Sequence, residues 1–195
     1  TIVFMQRAWI GCLLLFCSGC TGHWGPVLEV SPPETVMGRY DVTVSRSATL
    51  ETRDGEAIQV DVIALTNDQY CRQKWFSCPL QAYFGPRGHA LRDASPTWKA
   101  SLATGGDSSR TLKADDALWD VWRAEGATHL VILAKRPSPR ASHSSDDARR
   151  LVLPLDRTRW LKDDIEVRLM PSGLVLRTRR LPPWPGQPGN QFKHY

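Results

Sequence analysis

A short apolar run that ends at a cysteine constrains this 195-residue chain more than any other feature. Arg7 is followed by about nine mostly apolar residues, 8–16, and then by Ser18 and Gly19 directly before Cys20. A membrane-spanning helix needs ~20 apolar residues, so a run this short suits the cleavable core of a secretory signal. Small residues before a cysteine are typical of a lipid-attachment site. We therefore expect residues 1–20 to form a lipoprotein signal segment and Cys20 to carry the lipid.

The match to such a signal is partial. The position three before the cysteine is usually Leu and here is Cys17, so an ordinary signal peptide cut elsewhere and a buried N-terminal helix are the alternatives. Met5 is a better candidate for the first translated residue than Thr1. Thr21 follows Cys20 where an Asp would suggest retention at the inner membrane. By resemblance to other lipoproteins, this favours an outer-membrane location facing the periplasm, with fatty acyl chains such as palmitate as the anchor.

The remaining chain is long enough for one domain. Residues 20–195 number 176, which suits a single sizeable core. Arg7 is the one charged residue before Cys20, so this part carries 24 basic and 20 acidic residues, or +4. That balance lacks the dense Lys/Arg clustering of a nucleic-acid binder, and no nucleic-acid partner is expected. We expect a Gly/Pro-rich tether over residues 21–37, a β domain over 38–180 and a Pro-rich tail over 181–195.

The five cysteines divide by position. Cys12 and Cys17 would leave with the signal, Cys20 would take the lipid, and Cys71 and Cys78 would remain. An even remainder in an oxidising compartment predicts a disulfide, with a metal or redox site as the alternative. Seven residues along one straight helix would separate the Cα atoms by ~10.5 Å, beyond the ~7 Å that a bridge allows. The helix must therefore stop near residue 75.

Hydrophobic periodicity predicts several strands. Tyr40, Val42 and Val44 alternate with polar residues, as in a half-buried strand. Residues 58–65 begin alternating and end continuously apolar, which indicates a central strand buried on both faces. Further strands are expected at four places, namely residues 128–134, 151–155, 165–170 and 174–178.

Two turn signals predict hairpins. Asp54-Gly55 lies between the segment at Leu50 and the strand at residues 58–65, and Gly accepts the positive φ of such a turn. Pro171-Ser-Gly173 lies between the last two expected strands. Around Gly105 and Gly106, residues 101–109 are expected to form a loop.

Two short helices are expected between the strands. Thr66-Asn67-Asp68 offers an N-cap for a helix over residues 69–75, and a second helix over residues 115–125 would end at Gly126. Its Trp119 and Trp122 would form a lid on a sheet, with a ligand platform as the alternative. About seven strands with two helical inserts predict a mainly β fold, an antiparallel β-sandwich. An α+β layer with both helices on one face is the alternative.

No familiar catalytic spacing is present. The five histidines show no HExxH pattern or helical pairing for zinc, and no GxSxG or Walker glycine loop occurs (His23, His89, His129, His143, His194). Residues 142–147 contain the residue types of a serine triad but place them side by side in a polar loop. Asp61 is interpreted as a solvent-face or strand-end carboxylate, since a lone carboxylate makes no acid/base pair. No metal, cofactor or enzymatic activity is expected.

Two stretches carry a resemblance. Val60-Asp-Val62, Trp75 and the turn at residues 83–86 followed by Leu91-Arg-Asp93 resemble a group of small bacterial lipoproteins. Residues 126–134, residues 149–154 and Trp160 are more distantly similar to the type VI secretion outer-membrane lipoprotein family. That similarity implies a lipid-tethered β-sandwich that docks a periplasmic partner through a loop and has no catalytic activity. The family's binding loop has no recognisable counterpart here.

The expected function is therefore a noncatalytic, lipid-anchored envelope protein that tethers or assembles a periplasmic complex. The loops at residues 85–93 and 137–147 are the contact candidates. The candidate partner-binding residues are Gly88, His89, Arg92, Trp119 and Trp122. The alternative is a ligand- or cell-wall-binding lipoprotein, or an unrecognised hydrolase, with a concave site lined by the two tryptophans.

Overall fold

Eight strands form two facing four-stranded sheets in the described part of this computed structural model. The structure describes residues 36–50, 56–71, 78–85, 90, 92, 95–103, 108–136 and 147–182, without the side chains of Tyr70 and Cys71. The strands are β1 (Asp41–Arg46), β2 (Ile58–Thr66), β3 (Thr97–Leu102), β4 (Ser109–Leu112), β5 (Ala127–Ala134), β6 (Arg150–Pro154), β7 (Asp164–Met170) and β8 (Gly173–Leu176). The helices are α1 (Asn67–Cys71), α2 (Leu80–Tyr83) and α3 (Leu118–Ala124), with a 3-10 turn at Arg157–Arg159. The mainly β sandwich is confirmed.

Each sheet mixes strands from distant parts of the chain. The first sheet has the order β4-β1-β7-β8, and the second has the order β3-β2-β5-β6. The expectation of a wholly antiparallel fold is wrong at one place, because β1 and β7 run parallel, from Asp41 beside Asp164 to Arg46 beside Leu169. The other pairs of neighbouring strands are antiparallel.

The core fills the space between the sheets. The alternation predicted in β1 is confirmed, since Tyr40, Val42 and Val44 are 0% exposed and meet the apolar residues of the second sheet. In β2, Val60 and Val62 point into this core, while Ile63 and Leu65 lie in a separate cluster on the opposite face. The prediction that β2 is a central strand buried on both faces is therefore confirmed, with β3 and β5 as its neighbours.

One predicted hairpin is confirmed and one is wrong. Met170 pairs with Gly173 across the turn that Pro171 begins, as expected. The segment before β2 is not its hairpin partner, because both edges of β2 are taken by β3 and β5 and β1 lies in the other sheet. Residues 54 and 55 themselves lie outside the described residues.

The cap signal before α1 is confirmed, but both helices differ in extent from the prediction, and α3 begins at Leu118 rather than at residue 115. Thr66 accepts a bond from the N–H of Gln69 at 3.2 Å, and the Gln69 side chain accepts from the N–H of Thr66 at 3.0 Å, a reciprocal capping box. The described helix is α1, Asn67–Cys71, rather than residues 69–75, and residues 72–77 lie outside the description. Gly126, with φ of 74°, follows α3 as expected. On α3, Val121 is 43% exposed, whereas Trp119 and Trp122 are buried.

Candidate partner-binding site

A chain segment that includes Arg92, one of the predicted partner-binding residues, packs on the outer face of the second sheet. We call its described residues, 78–85, 90 and 92, the covering segment. A second apolar cluster forms where α2 packs on β2 and β5, and Val152 of β6 packs against it. The buried members from the sheet are Ile63, Leu65, Val131 and Leu133, and those from the covering segment are Cys78, Leu80, Tyr83 and Phe84. β2 and β5 are therefore buried on both faces, and the described residues of the covering segment form a third layer over them.

A carboxylate lies under that layer. Asp61, on the outer face of β2, is 0% exposed. Its Oδ2 accepts from Nε of Arg92 at 2.7 Å and from the hydroxyl of Tyr83 at 3.2 Å, and its Oδ1 accepts from the side-chain amide of Gln59 at 3.3 Å. The interpretation of Asp61 as a solvent-face or strand-end carboxylate is wrong, because this residue lies inside the molecule and binds three side chains.

The Arg92 side chain contacts two aromatic rings in addition to the Asp61 carboxylate. Its guanidinium carbon lies 5.8 Å from the ring centroid of Tyr83 and 5.4 Å from that of Phe84. A planar guanidinium can bind a carboxylate with its edge while its faces contact aromatic rings. The Arg92 side chain is 17% exposed. The guanidinium of Arg92 therefore binds a carboxylate of the same molecule. This ion pair holds the covering segment on β2 instead of presenting the guanidinium to a partner.

A second polar contact fastens the same segment from β6. The Nη2 of Arg150 donates to the backbone carbonyl of Cys78 at 2.8 Å. Arg150 lies beside Leu133, and Leu133 lies beside Asp61, so the two fastening side chains occupy one row across the sheet. Burial lowers the pKa of Arg150. The covering segment is thus tied to β2 at one end of its described part and to β6 at the other.

The predicted bridge between Cys71 and Cys78 stays a prediction, because the side chain of Cys71 is outside the described residues. Cys78 is 8% exposed and packs in the outer cluster. In its thiol form, burial raises the pKa of Cys78, which disfavours a reactive thiolate.

Burial raises the pKa of Tyr83 further from neutrality, and the adjacent Asp61 carboxylate adds to the effect. The raised pKa favours the protonated phenol, which donates to Asp61. This geometry satisfies the carboxylate with one cation and two neutral donors, as a buried charge requires.

Another buried ion pair borders the second contact candidate. Asp147, 3% exposed at its side chain, binds Arg149 through a contact of 2.6 Å between Oδ2 and Nη2 and a second of 2.9 Å to Nε. Arg149 also donates to the carbonyl of Arg136 at 2.9 Å. The two ends of the loop are thereby joined, while residues 137–146 themselves lie outside the described residues.

The two tryptophan candidates belong to the core. Trp119 and Trp122 are 0% exposed, with ring centroids 5.1 Å apart, and their indole N–H groups donate to the carbonyls of Lys113 and Pro96. The predicted lid is confirmed, and the platform that a ligand or partner would contact is wrong, since neither side chain reaches the surface. An open depression of about 330 Å³ lies elsewhere, with Gln59, Lys99, Ser101 and Lys135 among its lining residues.

The candidates Gly88 and His89 lie outside the described residues. They fall between Gly85, directly after the Tyr83–Phe84 pair, and Arg92 in the chain. Sequence reasoning identified Arg92 but missed Asp61 and Tyr83 as its partners. The available signal was a charged residue inside the most apolar strand, which burial permits only with a partner.

Among the described residues, no group of three or more His, Cys, Asp or Glu side chains could hold a metal ion. The same part of the chain contains no helix of sufficient length and hydrophobicity to span a bilayer.

Comparison with known proteins gives a distant likeness. No family model matches the chain, and no curated protein matches it. Among solved structures, the chain is similar to Lip of Serratia marcescens, described as a membrane-bound component of the type VI secretion system. The two are 13% identical with a TM-score of 0.47, and the match covers 74% of this chain and 99% of Lip. It is also similar to the type VI lipoprotein TssJ1 of Pseudomonas aeruginosa, at 14% identity and a TM-score of 0.44 over 75% and 100%. The distant similarity to type VI secretion lipoproteins is therefore confirmed.

Proposed function

We propose that this protein is a noncatalytic lipoprotein, anchored through Cys20 on the periplasmic side of the outer membrane, that helps to assemble an envelope complex. The observation that carries the proposal is the sequence Ser18-Gly19-Cys20 at the end of a short apolar run. Several acyl chains on one cysteine would hold the protein firmly, because each buried CH₂ contributes ~0.8 kcal/mol.

The buried charges support a structural role for the domain. Asp61 binds Arg92, and Asp147 binds Arg149, each in a direct ion pair. The first pair ties the covering segment to β2, and Arg149 of the second pair also donates to the carbonyl of Arg136 at the other end of its loop. These carboxylates are thus engaged in holding segments in place.

The contact with a partner is assigned to Gly88 and His89. They follow a part of the chain that is packed on the second sheet and precede an arginine that is bound to it. Loops positioned by a rigid scaffold commonly contain binding residues, because a pre-positioned loop loses less conformational entropy when it binds a partner. A periplasmic protein of a secretion assembly is the partner class to test first, because the two similar structures are a component and a lipoprotein of type VI secretion systems.

Labelling with radioactive palmitate tests the anchor. The wild-type protein should incorporate the label and the Cys20→Ala variant should not; absence of label from the wild type would contradict the proposal.

Crosslinking and affinity capture of the lipidated protein from membranes test the contact. His89→Ala should reduce capture of an envelope protein at an unchanged melting temperature, whereas Arg110→Ala, an exposed residue on β4 of the first sheet, is the matched control. Equal capture by both variants would remove His89 from the contact.

A further inference from the structure

Two arginine-rich segments run side by side at the end of the sandwich where the described chain begins. Residues 157–162 and 177–181 are joined by an antiparallel bridge between Trp160 and Arg180, and the N–H of Leu181 donates to the carbonyl of Arg159 at 2.8 Å. We call these eleven residues the basic ribbon. Its six cations are Arg157, Arg159, Lys162, Arg177, Arg179 and Arg180, and it contains no acidic residue.

Few carboxylates neutralise the ribbon. Arg157 forms an exposed ion pair with Asp163 at 3.5 Å, and Asp156 accepts bonds from Thr158 at the start of the 3-10 turn. Among the described residues, no other cation of the ribbon has a carboxylate within ion-pair distance. Four carboxylates flank the ribbon, namely Asp156, Asp163, Asp164 and Glu166, so its six cations exceed these acidic neighbours by two. The ribbon itself is therefore an uninterrupted basic surface that keeps a net positive charge with its flanks.

Exposed apolar side chains accompany these cations. Leu161, inside the ribbon, is 62% exposed. Val36 is 58% exposed, and its carbonyl accepts from the N–H of Arg157 at 3.1 Å. These are two of the three large apolar side chains that are exposed in the described part of the chain. Cations beside projecting apolar side chains are the combination by which protein surfaces lie against anionic lipid.

The ribbon contacts the part of the domain that is close in sequence to the proposed lipid anchor. Val36 is where the described chain begins, sixteen residues after Cys20. An extended segment of sixteen residues reaches at most ~55 Å, so an anchor at Cys20 keeps this end within reach of the lipid surface without setting which face turns to it. A separate attraction is needed to orient the domain.

We propose that the basic ribbon, with Leu161 and Val36, docks on anionic phospholipid headgroups and orients the anchored domain on the membrane. This inference rests on the proposed lipid anchor. Phosphate groups would meet Lys162, Arg179 and Arg180, while Leu161 would enter the interfacial region. The face that carries Arg92 would then be held in a defined orientation toward the periplasm.

Hydrogen exchange of the lipidated full chain in vesicles tests the proposal. One set of vesicles contains phosphatidylethanolamine alone, and the other contains phosphatidylethanolamine with phosphatidylglycerol. Backbone amides of residues 157–162 and 177–181 should exchange more slowly on the second set, and high salt should remove the difference. Because a Lys or Arg near an anionic surface contributes about a fivefold preference, the variant K162E/R179E/R180E should lose all of the protection.

The matched control is K99E/R110E/K135E, which reverses three exposed charges outside the ribbon and should keep the protection. Arg159 is left unchanged because its Nε donates to the carbonyl of Leu181 at 3.1 Å. Equal exchange on the two vesicle types, with the protein still anchored, would overturn the ribbon assignment and point to an acidic protein surface instead. Failure of the wild type to stay with either vesicle would contradict the lipid anchor itself, so the two failures are distinguishable.

Discussion

Nε of Arg92 lies 2.7 Å from Oδ2 of Asp61, a carboxylate that is 0% exposed at the centre of the second sheet. This contact joins the covering segment to β2. The position of that segment over the sheet could not be predicted from the sequence alone.

Removing the cation of this pair should destabilise the protein strongly. Arg92→Ala leaves the Asp61 carboxylate buried without its cation, and we expect a loss of about 3 kcal/mol in the free energy of unfolding. The double variant Asp61→Leu/Arg92→Leu should lose less, because it removes both charges and leaves apolar groups. Urea unfolding measures both, and an Arg92→Ala variant as stable as wild type would contradict the role of the pair.

Two glycines with positive φ should respond differently to alanine. At Gly173, with φ of 135°, an added Cβ would overlap the backbone carbonyl oxygen of Ala148. At Gly126, with φ of 74°, no heavy atom lies within 4 Å of an added Cβ. We expect Gly126→Ala to cost about 1 kcal/mol from the left-handed backbone alone, and Gly173→Ala to cost ~3 kcal/mol because overlap adds to strain. Thermal unfolding measures the loss of stability in both variants. Equal losses would contradict the overlap at Gly173.

Stability should fall as the medium becomes mildly acidic. Burial lowers the pKa of His129 on β5. The unfolded state therefore takes up a proton near pH ~6.5, before the folded state does, so this stabilising contribution is complete above that pH and is lost as pH falls through the folded pKa. His129→Gln should flatten the dependence of the unfolding midpoint between neutral and mildly acidic pH. His143→Gln is the control, and an unchanged slope in His129→Gln would contradict the assignment.

The predicted bridge between Cys71 and Cys78 can be tested directly. In the chain-entropy model, closing so short a loop contributes about 2.5 kcal/mol. Cys71→Ser should lower the stability of the oxidised protein by that amount and leave the reduced protein unchanged. Non-reducing peptide mapping of the protein isolated from cells provides an independent measurement, and two separate thiols would show that the bridge does not form.

Local patterns predicted the parts of the fold that depend on local physics. Alternation in β1, the wholly apolar end of β2 and the turn at Pro171 each follow from which side of a strand must be buried or which φ a turn needs. The cap at Thr66 likewise uses neighbouring residues. These features are visible within windows of a few residues.

The remaining features depend on residues far apart in the chain. β3 and β4 flank a segment that sequence reasoning assigned to a loop, and β4 has four residues, too few for a clear period. Arg92 is 31 positions from Asp61, so its pairing requires knowing that the covering segment returns over β2.

The parallel pairing of β1 with β7 has a consequence for the timing of folding. Asp41 and Asp164 are 123 positions apart, so the first strand of the domain acquires this neighbour only after most of the chain has appeared. Contacts of such separation are slow to form, and an exported chain would pass through a period in which the edge of β1 is open to other chains. We therefore expect the first sheet to close last, after the local β7–β8 hairpin. A chaperone that binds open strand edges would therefore act on β1.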